Sequence, residues 1–226
     1  MQQVLSKHES TRLSVHHVAL FGGTNGIGRA VLDQALDAGL AVTALARDPS
    51  KLAPRDGLRV VQGSATDPDA VAATLAGVDA VVCALGAPAL SRSKVRSEGL
   101  RAITDAMAEL GIRRVAVVGI MGAGASRAKL PFFLRRVLFP TYLRRPVQEH
   151  ERQEAILRES DLDWTVVRPP NLTDGPRTGD YAHGEVEDWS TLSIAISRAD
   201  VADLILGALR GGHYVRQTPI ISYRAA

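Results

Sequence analysis

The sequence predicts an α/β fold in which a doubly wound parallel sheet lies between two layers of helices. Three observations predict it. Short apolar runs of strand length alternate with helical patterns, a glycine-rich turn follows the first run, and no repeat or low-complexity linker divides the 226 residues. Continuous apolar strands separated by helices are typical of parallel sheets that are buried on both faces.

The apolar runs place the individual elements. We expect strands at residues 15–21, 40–46, 58–62, 80–84, 115–118 and 163–170, and a closing strand at 218–223. Helices are expected at 26–38, from 68 onwards, and at 91–110, 147–160 and 198–210, because Asp67-Pro68 is a typical helix start and glycine follows two of the segments. Residues 171–184 are predicted to form a polar loop, and a short apolar run follows at 191–196.

These elements predict a single domain. Residues 1–14 are polar and without clear period, and we expect them to be a flexible N-terminal arm. Residues 15–226 are expected to form one three-layer unit, in which the segments 119–146 and 171–197 make a small C-terminal cap on the substrate side.

The composition excludes several classes of protein. With 27 basic and 24 acidic residues the net charge is +3, which is too small for a nucleic-acid-binding surface. No apolar run is long enough to span a membrane, and the N-terminus lacks the apolar core of a secretory signal. We therefore expect a cytoplasmic protein with a small-molecule substrate, no nucleic-acid partner and no stable membrane insertion.

The cysteine and histidine content limits the chemistry further. Cys83 is the single cysteine, so an internal disulfide is excluded, and its apolar surroundings predict a buried, inert thiol. The six histidines are scattered and form no pairs at ligand spacing, so we expect no metal site.

The segment FGGTNGIG, residues 21–28, ends the first strand and opens the first helix. Small residues there let the backbone approach a pyrophosphate, whose charge is met by the amides and the dipole of the helix N-terminus. A simple tight turn would also use such glycines, but a position inside a βαβ unit is the context that dinucleotide binding requires. The segment therefore predicts a Rossmann-like cofactor site.

The end of the second strand predicts which dinucleotide binds. NAD sites usually place an acidic residue there for the ribose 2′-hydroxyl, whereas an arginine accommodates the 2′-phosphate of NADP. Here Arg47 comes first, Asp48 stands beside it and Lys51 follows one turn later. Ordinary solvated loop charges are the alternative, but an arginine and a lysine together favour NADP(H) over NAD(H).

Six segments carry a family resemblance: FGGTNGIG, VTALARDPSKL, DAVVCALGA, SEGLRAITDAMAELGIRRVAVV, LRESDLDWTVVRPPNLTDGPRTGDY and ISRADVADLILGAL. In this order they resemble the atypical short-chain dehydrogenase/reductases, and within them the NAD(P)H-binding group that includes biliverdin-IXβ reductase (flavin reductase) and the NmrA-like proteins. The resemblance covers nearly the whole chain after the arm. It implies an NAD(P)-binding Rossmann fold and an oxidoreductase.

The resemblance also implies cofactor contacts at the carboxyl ends of the strands, where open α/β sheets bind ligands. In the first half of the chain these are Gly22, Thr24, Asn25, Gly26, Ile27, Gly28, Arg47, Lys51, Ser64, Ala65, Leu85 and Gly86. Along the nicotinamide half they are Val118, Gly119, Ile120, Pro169, Pro170, Asn171 and Leu172.

Four of these positions depart from the family pattern. Asn25 stands where a fingerprint glycine is usual, and asparagine tolerates positive φ better than most residues. Ser64 replaces an acidic residue that would hold adenine. Ile120 replaces a common serine, and Asn171 replaces a histidine of the biliverdin reductase type. We expect cofactor binding to survive these changes, whereas they leave the substrate open.

The acid/base pair of many short-chain enzymes is a Tyr with a Lys four positions on, where the lysine lowers the pKa of the phenol. This pair is absent. Planar acceptors such as flavins, quinones and linear tetrapyrroles do not require it, because they are electron-poor and take their proton from water. At the offset of four, Tyr142 is followed by Pro146, Tyr181 by Glu185 and Tyr214 by Thr218, and Tyr223 lies too near the end.

Two residues are candidate catalytic groups. His150 matches a histidine position of the biliverdin reductase type and would titrate near neutrality, although the glutamates around it also suit a solvated or ion-paired histidine. Tyr142 is a weaker proton donor because the pKa of a phenol is high.

Residues 130–145 are expected to cover the substrate, although their pattern also suits an interfacial amphipathic helix. Arginines in this segment would attract phosphate or carboxylate groups of the substrate. They are Arg135, Arg136, Arg144 and Arg145.

Three functions stay open at this point. The first is an NADPH-dependent reductase that transfers hydride to a planar acceptor. The second is a non-catalytic NADP(H)-sensing binding protein of the NmrA type. The third is an epimerase-like or dehydratase-like isomerase with His150 or Glu151 as base. For each we expect a monomer or a homodimer.

Overall fold

The computed structural model describes residues 15–88, 91–124, 144–184 and 191–225. The strands of the main sheet are β1 His17–Phe21, β2 Ala41–Ala46, β3 Leu58–Gln62, β4 Ala80–Cys83, β5 Arg114–Val118 and β6 Asp163–Val167. The helices are α1 Gly26–Asp37, α2 Pro68–Leu75, α3 Val95–Leu110, α4 Arg144–Glu159 and α5 Arg198–Gly211, and a short 3-10 helix spans Pro49–Lys51. The predicted arm, 1–14, and most of the predicted cover, including Tyr142, lie outside the described residues.

The main sheet is parallel throughout, with the strand order β3-β2-β1-β4-β5-β6. This order reverses beside β1, where the chain crosses from β3 to β4, so a crevice opens beyond the carboxyl ends of β1 and β4. The predicted doubly wound α/β fold is confirmed. Most strands end close to a glycine or a charged residue, whereas β4 ends at Cys83 before Ala84 and Leu85. The strand β6 ends at Val167 rather than at the expected 170.

Two apolar clusters fill the space on the two faces of the sheet. Leu20, Val42 and Ile205 belong to the first cluster, which includes α1 and α5. Phe21 and Ile103 belong to the second, which includes α2 and α3. Successive residues of β1 enter opposite clusters because side chains alternate along a strand. Cys83 is fully buried in the second cluster, as predicted, and burial raises the pKa of its thiol to about 12.

The helix ends follow from local chemistry. Asp67 caps α2 through its carboxylate, which accepts from the amide of Asp69, and Pro68 occupies the first turn. Gly111 ends α3 in the left-handed conformation at φ +71°. The helix α3 starts at Val95 instead of 91, and α4 starts at Arg144 instead of 147.

The C-terminal part differs from the prediction. The expected polar loop 171–184 contains two short strands, β7 Asn171–Thr173 and β8 Ala182–Gly184. The strand β7 pairs with β9, Ala195–Ser197, and β8 pairs with the closing strand β10, Ile220–Ser222. The loop prediction was therefore wrong at both ends, because strands this short leave little apolar period in the sequence. Isolated bridges join Gln217 to Thr165 of β6 and Ile220 to Arg168, the residue after β6.

Asp200 ties the C-terminal part together. Its buried carboxylate accepts hydrogen bonds from the Tyr223 hydroxyl at 2.6 Å, the Ser197 hydroxyl at 2.9 Å and the amides of Thr178 and Gly179 at 2.8 and 2.9 Å. Burial opposes this charge, but the hydrogen bonds prevail and hold the pKa of Asp200 below its usual value. One carboxylate thus fixes the start of α5, the loop after β7 and the chain after β10.

Within the described ranges, no helix is both long and apolar enough to cross a membrane.

Candidate cofactor site

The turn after β1 is shaped for close approach of a ligand. Gly22 has φ +95°, and a Cβ there would collide with the carbonyl of Ala84 at the end of β4. A Cβ on Gly28 would collide with the carbonyl of Gly22. The two glycines therefore allow β1, β4 and the first turn of α1 to meet without side chains between them. Such a bare backbone turn at a helix N-terminus fits the pyrophosphate of a dinucleotide.

Asn25 plays a different part from the one expected. It is extended at φ −158°, and the residues of the turn with positive φ are Gly22 and Gly26, at +95° and +59°. The side-chain oxygen of Asn25 accepts from the amide of Gly26 at 2.7 Å, so Asn25 is the cap of α1. The expected positive φ at Asn25 was therefore wrong, and an asparagine suits this position because it caps a helix. Thr24 and Ile27 lie on either side, half-buried and buried respectively.

The end of β2 presents two exposed cations. Arg47 and Lys51 are exposed, and neither forms an ion pair within the described residues. Asp48 caps the short 3-10 helix, since its carboxylate accepts from the Ser50 hydroxyl at 2.6 Å and from the Ser50 amide at 3.2 Å. The hydrogen bond from the Ser50 hydroxyl lowers the pKa of Asp48. The acid beside Arg47 is thus engaged in its own turn.

Arg29 and Arg55 lie near this corner but are already paired. Arg29 contacts Asp33 at 3.0 Å, and Arg55 contacts Asp33 at 3.0 Å and Asp37 at 2.7 Å. Arg29 also donates to the carbonyl of Lys51 at 3.4 Å, which links the 3-10 helix to α1. Arg29 and Arg55 are therefore structural cations. Arg47 and Lys51, which form no ion pair within the described residues, remain able to contact a ligand.

The loops after β3 and β4 pack together. The Ser64 hydroxyl is 2.9 Å from the Thr66 hydroxyl and accepts from the Thr66 amide, so it is used within its own turn. A Cβ on Gly99 would lie 2.7 Å from Leu85 and 3.1 Å from Ala65, which shows how closely α3 approaches these two side chains. Gly86 follows, exposed, with open space around it.

The loops after β5 and β6 are joined by backbone hydrogen bonds. The amide of Gly119 donates to Val167 at 2.8 Å, and that of Met121 donates to Pro169 at 2.9 Å. Val118, Ile120, Pro170 and Leu172 are half-buried and Asn171 is exposed. The predicted nicotinamide-side positions therefore lie side by side at the carboxyl ends of neighbouring strands, as the parallel register of β5 and β6 requires.

Beneath these loops lies a buried ion pair that the sequence analysis missed. Arg168 and Glu154 are both almost fully buried, and the Arg168 guanidinium donates to both carboxylate oxygens of Glu154 at 2.7 Å. A Cβ on Gly124 would lie 3.4 Å from Arg168 and 3.6 Å from Glu154. The arginine before a Pro-Pro pair and a glutamate on a polar helix were visible signals, but nothing in the sequence placed them in contact.

His150 lies on the same helix and is buried, with 7% of its surface exposed. Burial, with a smaller effect of Arg96, lowers the pKa of its imidazole to about 3. The expectation of a solvated or ion-paired histidine, and of titration near neutrality, was wrong. Its Nδ1 has no hydrogen-bond partner among the described residues.

The glutamates around His150 have partners elsewhere. Glu149 accepts from the Ser97 hydroxyl at 2.9 Å and from Arg152 at 2.6 Å, and Glu151 accepts from the Gly124 amide at 3.3 Å. Their carboxylates bind α3, the helix itself and the loop after β5. His150 is therefore a neutral, buried polar group at the α3–α4 contact. Tyr142, the other candidate catalytic residue, lies outside the described residues.

Two further observations concern metal binding and a surface groove. Among the described residues, no group of three or more His, Cys, Asp or Glu side chains is placed to hold a metal ion. A groove of about 510 Å³, lined by residues such as Gln34, Arg177 and Arg210, lies along α1 and α5. None of the predicted cofactor positions lines it.

The fold and the glycine turn define a dinucleotide-binding protein. A family model described as NAD(P)H-binding matches residues 22–211, and the chain belongs to this family. Its structural neighbours include short-chain dehydrogenase/reductase-like oxidoreductases, in agreement with the resemblance described above.

Individual relatives refine this assignment. The chain is 31% identical over 153 residues to (4-alkanoyl-5-oxo-2,5-dihydrofuran-3-yl)methyl phosphate reductase of Streptomyces griseus, covering 67% of this chain and 46% of that protein. The solved structure of the anaerobillin reductase ChuY from Escherichia coli O157:H7 is 26% identical, with a TM-score of 0.75 over 91% of this chain and 96% of that one.

A short-chain dehydrogenase/reductase from Veillonella parvula in complex with NADP shares the fold, with a TM-score of 0.78 at 19% identity over 92% of this chain and 94% of that one. The chain spans 71%, 46% and 63% of the length of three curated relatives that it matches.

Proposed function

We propose that the protein is an NADPH-dependent reductase that transfers hydride to a flavin, quinone, tetrapyrrole or similar small planar acceptor. The observation that carries the cofactor preference is the division of charges after β2. The Asp48 carboxylate accepts two hydrogen bonds from Ser50, whereas Arg47 and Lys51 form no ion pair within the described residues. A planar guanidinium and an ammonium suit a dianionic 2′-phosphate better than a hydroxyl.

The chain's own residues bind and orient in this mechanism. The bare turn Gly22–Gly28 and the first amides of α1 receive the pyrophosphate. The linked loops after β5 and β6 fix the nicotinamide side through the Gly119 and Met121 hydrogen bonds. When bound, NADPH supplies the hydride.

The acceptor side needs few groups of its own. The sequence contains no Tyr-Lys pair at the required spacing. An acceptor that is already electron-poor needs no such pair, and water supplies its proton. We propose that the loop after β5, with Ile120, and the start of β7, with Asn171, form the acceptor side of the site.

His150 enters this proposal as a neutral group. With a pKa of about 3 it carries no proton to give as an imidazolium at neutral pH. Its Nδ1 has no hydrogen-bond partner among the described residues. We propose that His150 positions the acceptor side of the site, and we keep Tyr142 as a candidate proton donor beside water.

The test is a turnover assay with a panel of acceptors. The purified protein is mixed with NADPH and, in turn, FMN, FAD, quinones and biliverdin, and the loss of NADPH absorbance is followed. Oxidation that depends on one acceptor class supports the proposal and names the substrate. We also propose a cytoplasmic protein that is a monomer or a homodimer, which fractionation and light scattering would check.

A second candidate is an NADP(H)-sensing binding protein of the NmrA type. The replacement of a common serine by the half-buried Ile120 favours it, because the nicotinamide side then lacks a hydroxyl. Tight NADPH binding without oxidation across the whole panel would select this function. A substrate that changes while bound cofactor is never consumed would select the isomerase.

A further inference from the structure

Arg198 lies beside the glycine turn, although it is far from it in the sequence. It is the first residue of α5. Its Nε would be 3.9 Å from a Cβ on Gly26, the first residue of α1. A guanidinium is thus held at the helix N-terminus where a Rossmann fold receives the pyrophosphate.

The backbone of Arg198 is fixed from both sides. The Gln34 side chain of α1 donates to the carbonyl of Ala199 at 2.8 Å. Ser197 caps α5 and is itself held by Asp200 at 2.9 Å. Since α1 and the start of α5 are joined in this way, the reach of Arg198 toward Gly26 follows from the fold and not from a free surface side chain.

Within the part of the chain that the structure describes, the guanidinium pairs with one acidic residue. Its Nη1 donates to Asp174 at 2.6 Å, and Asp174 is 91% exposed whereas Arg198 is only 30% exposed. Ion pairs with such an exposed partner contribute little free energy. An incoming anion therefore competes with Asp174 at low cost.

We propose that Arg198 is a second cationic contact for the pyrophosphate of the cofactor and that Asp174 occupies this arginine when no cofactor is bound. The proposal rests on the proposed function, since it requires a dinucleotide at the glycine turn. The loop that follows β7 thereby contributes to cofactor binding, because the ion pair between Asp174 and Arg198 breaks when the pyrophosphate binds. Asp200, which holds Thr178 and Gly179, keeps the rest of that loop in place.

The experiment measures binding by isothermal titration calorimetry for wild type, Arg198→Met and Asp174→Asn. Two ligands are compared: NADP⁺, which has a pyrophosphate, and adenosine 2′-monophosphate, which lacks one. We expect Arg198→Met to weaken NADP⁺ about tenfold or more, the size typical of a charge-assisted contact, and to leave adenosine 2′-monophosphate unchanged. Asp174→Asn should bind NADP⁺ as tightly as wild type or more tightly.

Arg177→Met is the matched control, because Arg177 belongs to the same loop and pairs with Asp203 at 2.7 Å. It should bind both ligands like wild type. If Arg198→Met does not fold, Arg198→Lys replaces it and should lose part of the affinity for NADP⁺ alone, since it keeps the charge without the fork. Unchanged NADP⁺ affinity in the folded variant, or an equal loss for both ligands, overturns the proposal. Wild type that binds neither ligand overturns the proposed function instead.

Discussion

Arg168 and Glu154 form a buried ion pair that joins the end of β6 to α4 beneath the loops that follow β5 and β6. The Arg168 side chain is 6% exposed and that of Glu154 is 2% exposed. Two guanidinium nitrogens share the carboxylate, at 2.7 to 2.9 Å. Glu154 also accepts from the more exposed Arg158 at 2.5 Å, so it keeps a partner if Arg168 is removed, whereas removing Glu154 leaves the buried Arg168 charge without compensation among the described residues.

The first prediction concerns this pair. Glu154→Gln should lower the free energy of unfolding by about 3–5 kcal/mol, because it leaves the Arg168 charge buried and unpaired. Urea unfolding followed by circular dichroism measures it. The control is Glu159→Gln, whose partner Arg101 is 52% exposed and 3.4 Å away, and it should cost less than about 1 kcal/mol. Equal losses in the two variants would contradict the buried pair.

The second prediction concerns the cations after β2. Arg47→Met should weaken NADPH binding about tenfold and leave NADH binding unchanged, because only NADPH carries the 2′-phosphate. Lys51→Met should act in the same direction with a smaller effect. Arg59→Met on the exposed side of β3 is the control. Isothermal titration calorimetry with both cofactors measures the change in affinity. An equal loss of affinity for NADH would contradict a contact between these cations and the 2′-phosphate.

The third prediction concerns pH and His150. Its pKa falls from 6.5 when exposed to about 3 in the folded protein, mainly through burial. Above pH 6.5 the imidazole is unprotonated in both the folded and the unfolded protein, so its low pKa in the folded protein costs no stability. As the pH falls below 6.5 the unfolded state binds the proton first, and stability drops by up to about 1.4 kcal/mol per pH unit.

His150→Leu removes this group and should flatten the dependence. Urea unfolding of wild type and variant at pH 7 and pH 5 compares the two slopes, and the carboxylates that both proteins share cancel in the difference. The difference in the free energy of unfolding between the variant and wild type should shift in favour of the variant at pH 5. A gap that stays constant would mean that the imidazole reaches solvent.

The fourth prediction concerns Asp200. Asp200→Asn should destabilise the protein by about 1–3 kcal/mol, because an amide cannot accept from all of the Tyr223, Ser197, Thr178 and Gly179 donors with the strength of a carboxylate. Hydrogen exchange should speed up first at the Thr178 and Gly179 amides. Asp180→Asn in the same loop, exposed, is the control and should change neither.

Much of the fold was predictable because it rests on local patterns. The strand β3 has the predicted bounds, and the glycine turn lies where FGGTNGIG placed it, since both depend on neighbouring residues. Asn25 shows the limit of that reasoning, because its role depends on which residue of the turn becomes left-handed.

The remaining features depend on contacts between residues far apart in the chain. The burial of His150 depends on α3 packing against α4, and the links from Arg198 to Gly26 and from Asp200 to Tyr223 join segments that no periodicity connects. The sequence does not show which polar residues of a helix face another helix, so it allowed a titrating histidine or a solvated one where the fold buries a neutral one.

Calorimetric titration of the wild-type protein with NADPH and with NADH tests the central claim most directly. Arg47 and Lys51, which form no ion pair within the described residues, and the engaged Asp48 predict saturable binding of NADPH that is about tenfold or more tighter than binding of NADH. Binding of neither dinucleotide, or tighter binding of NADH, would contradict it.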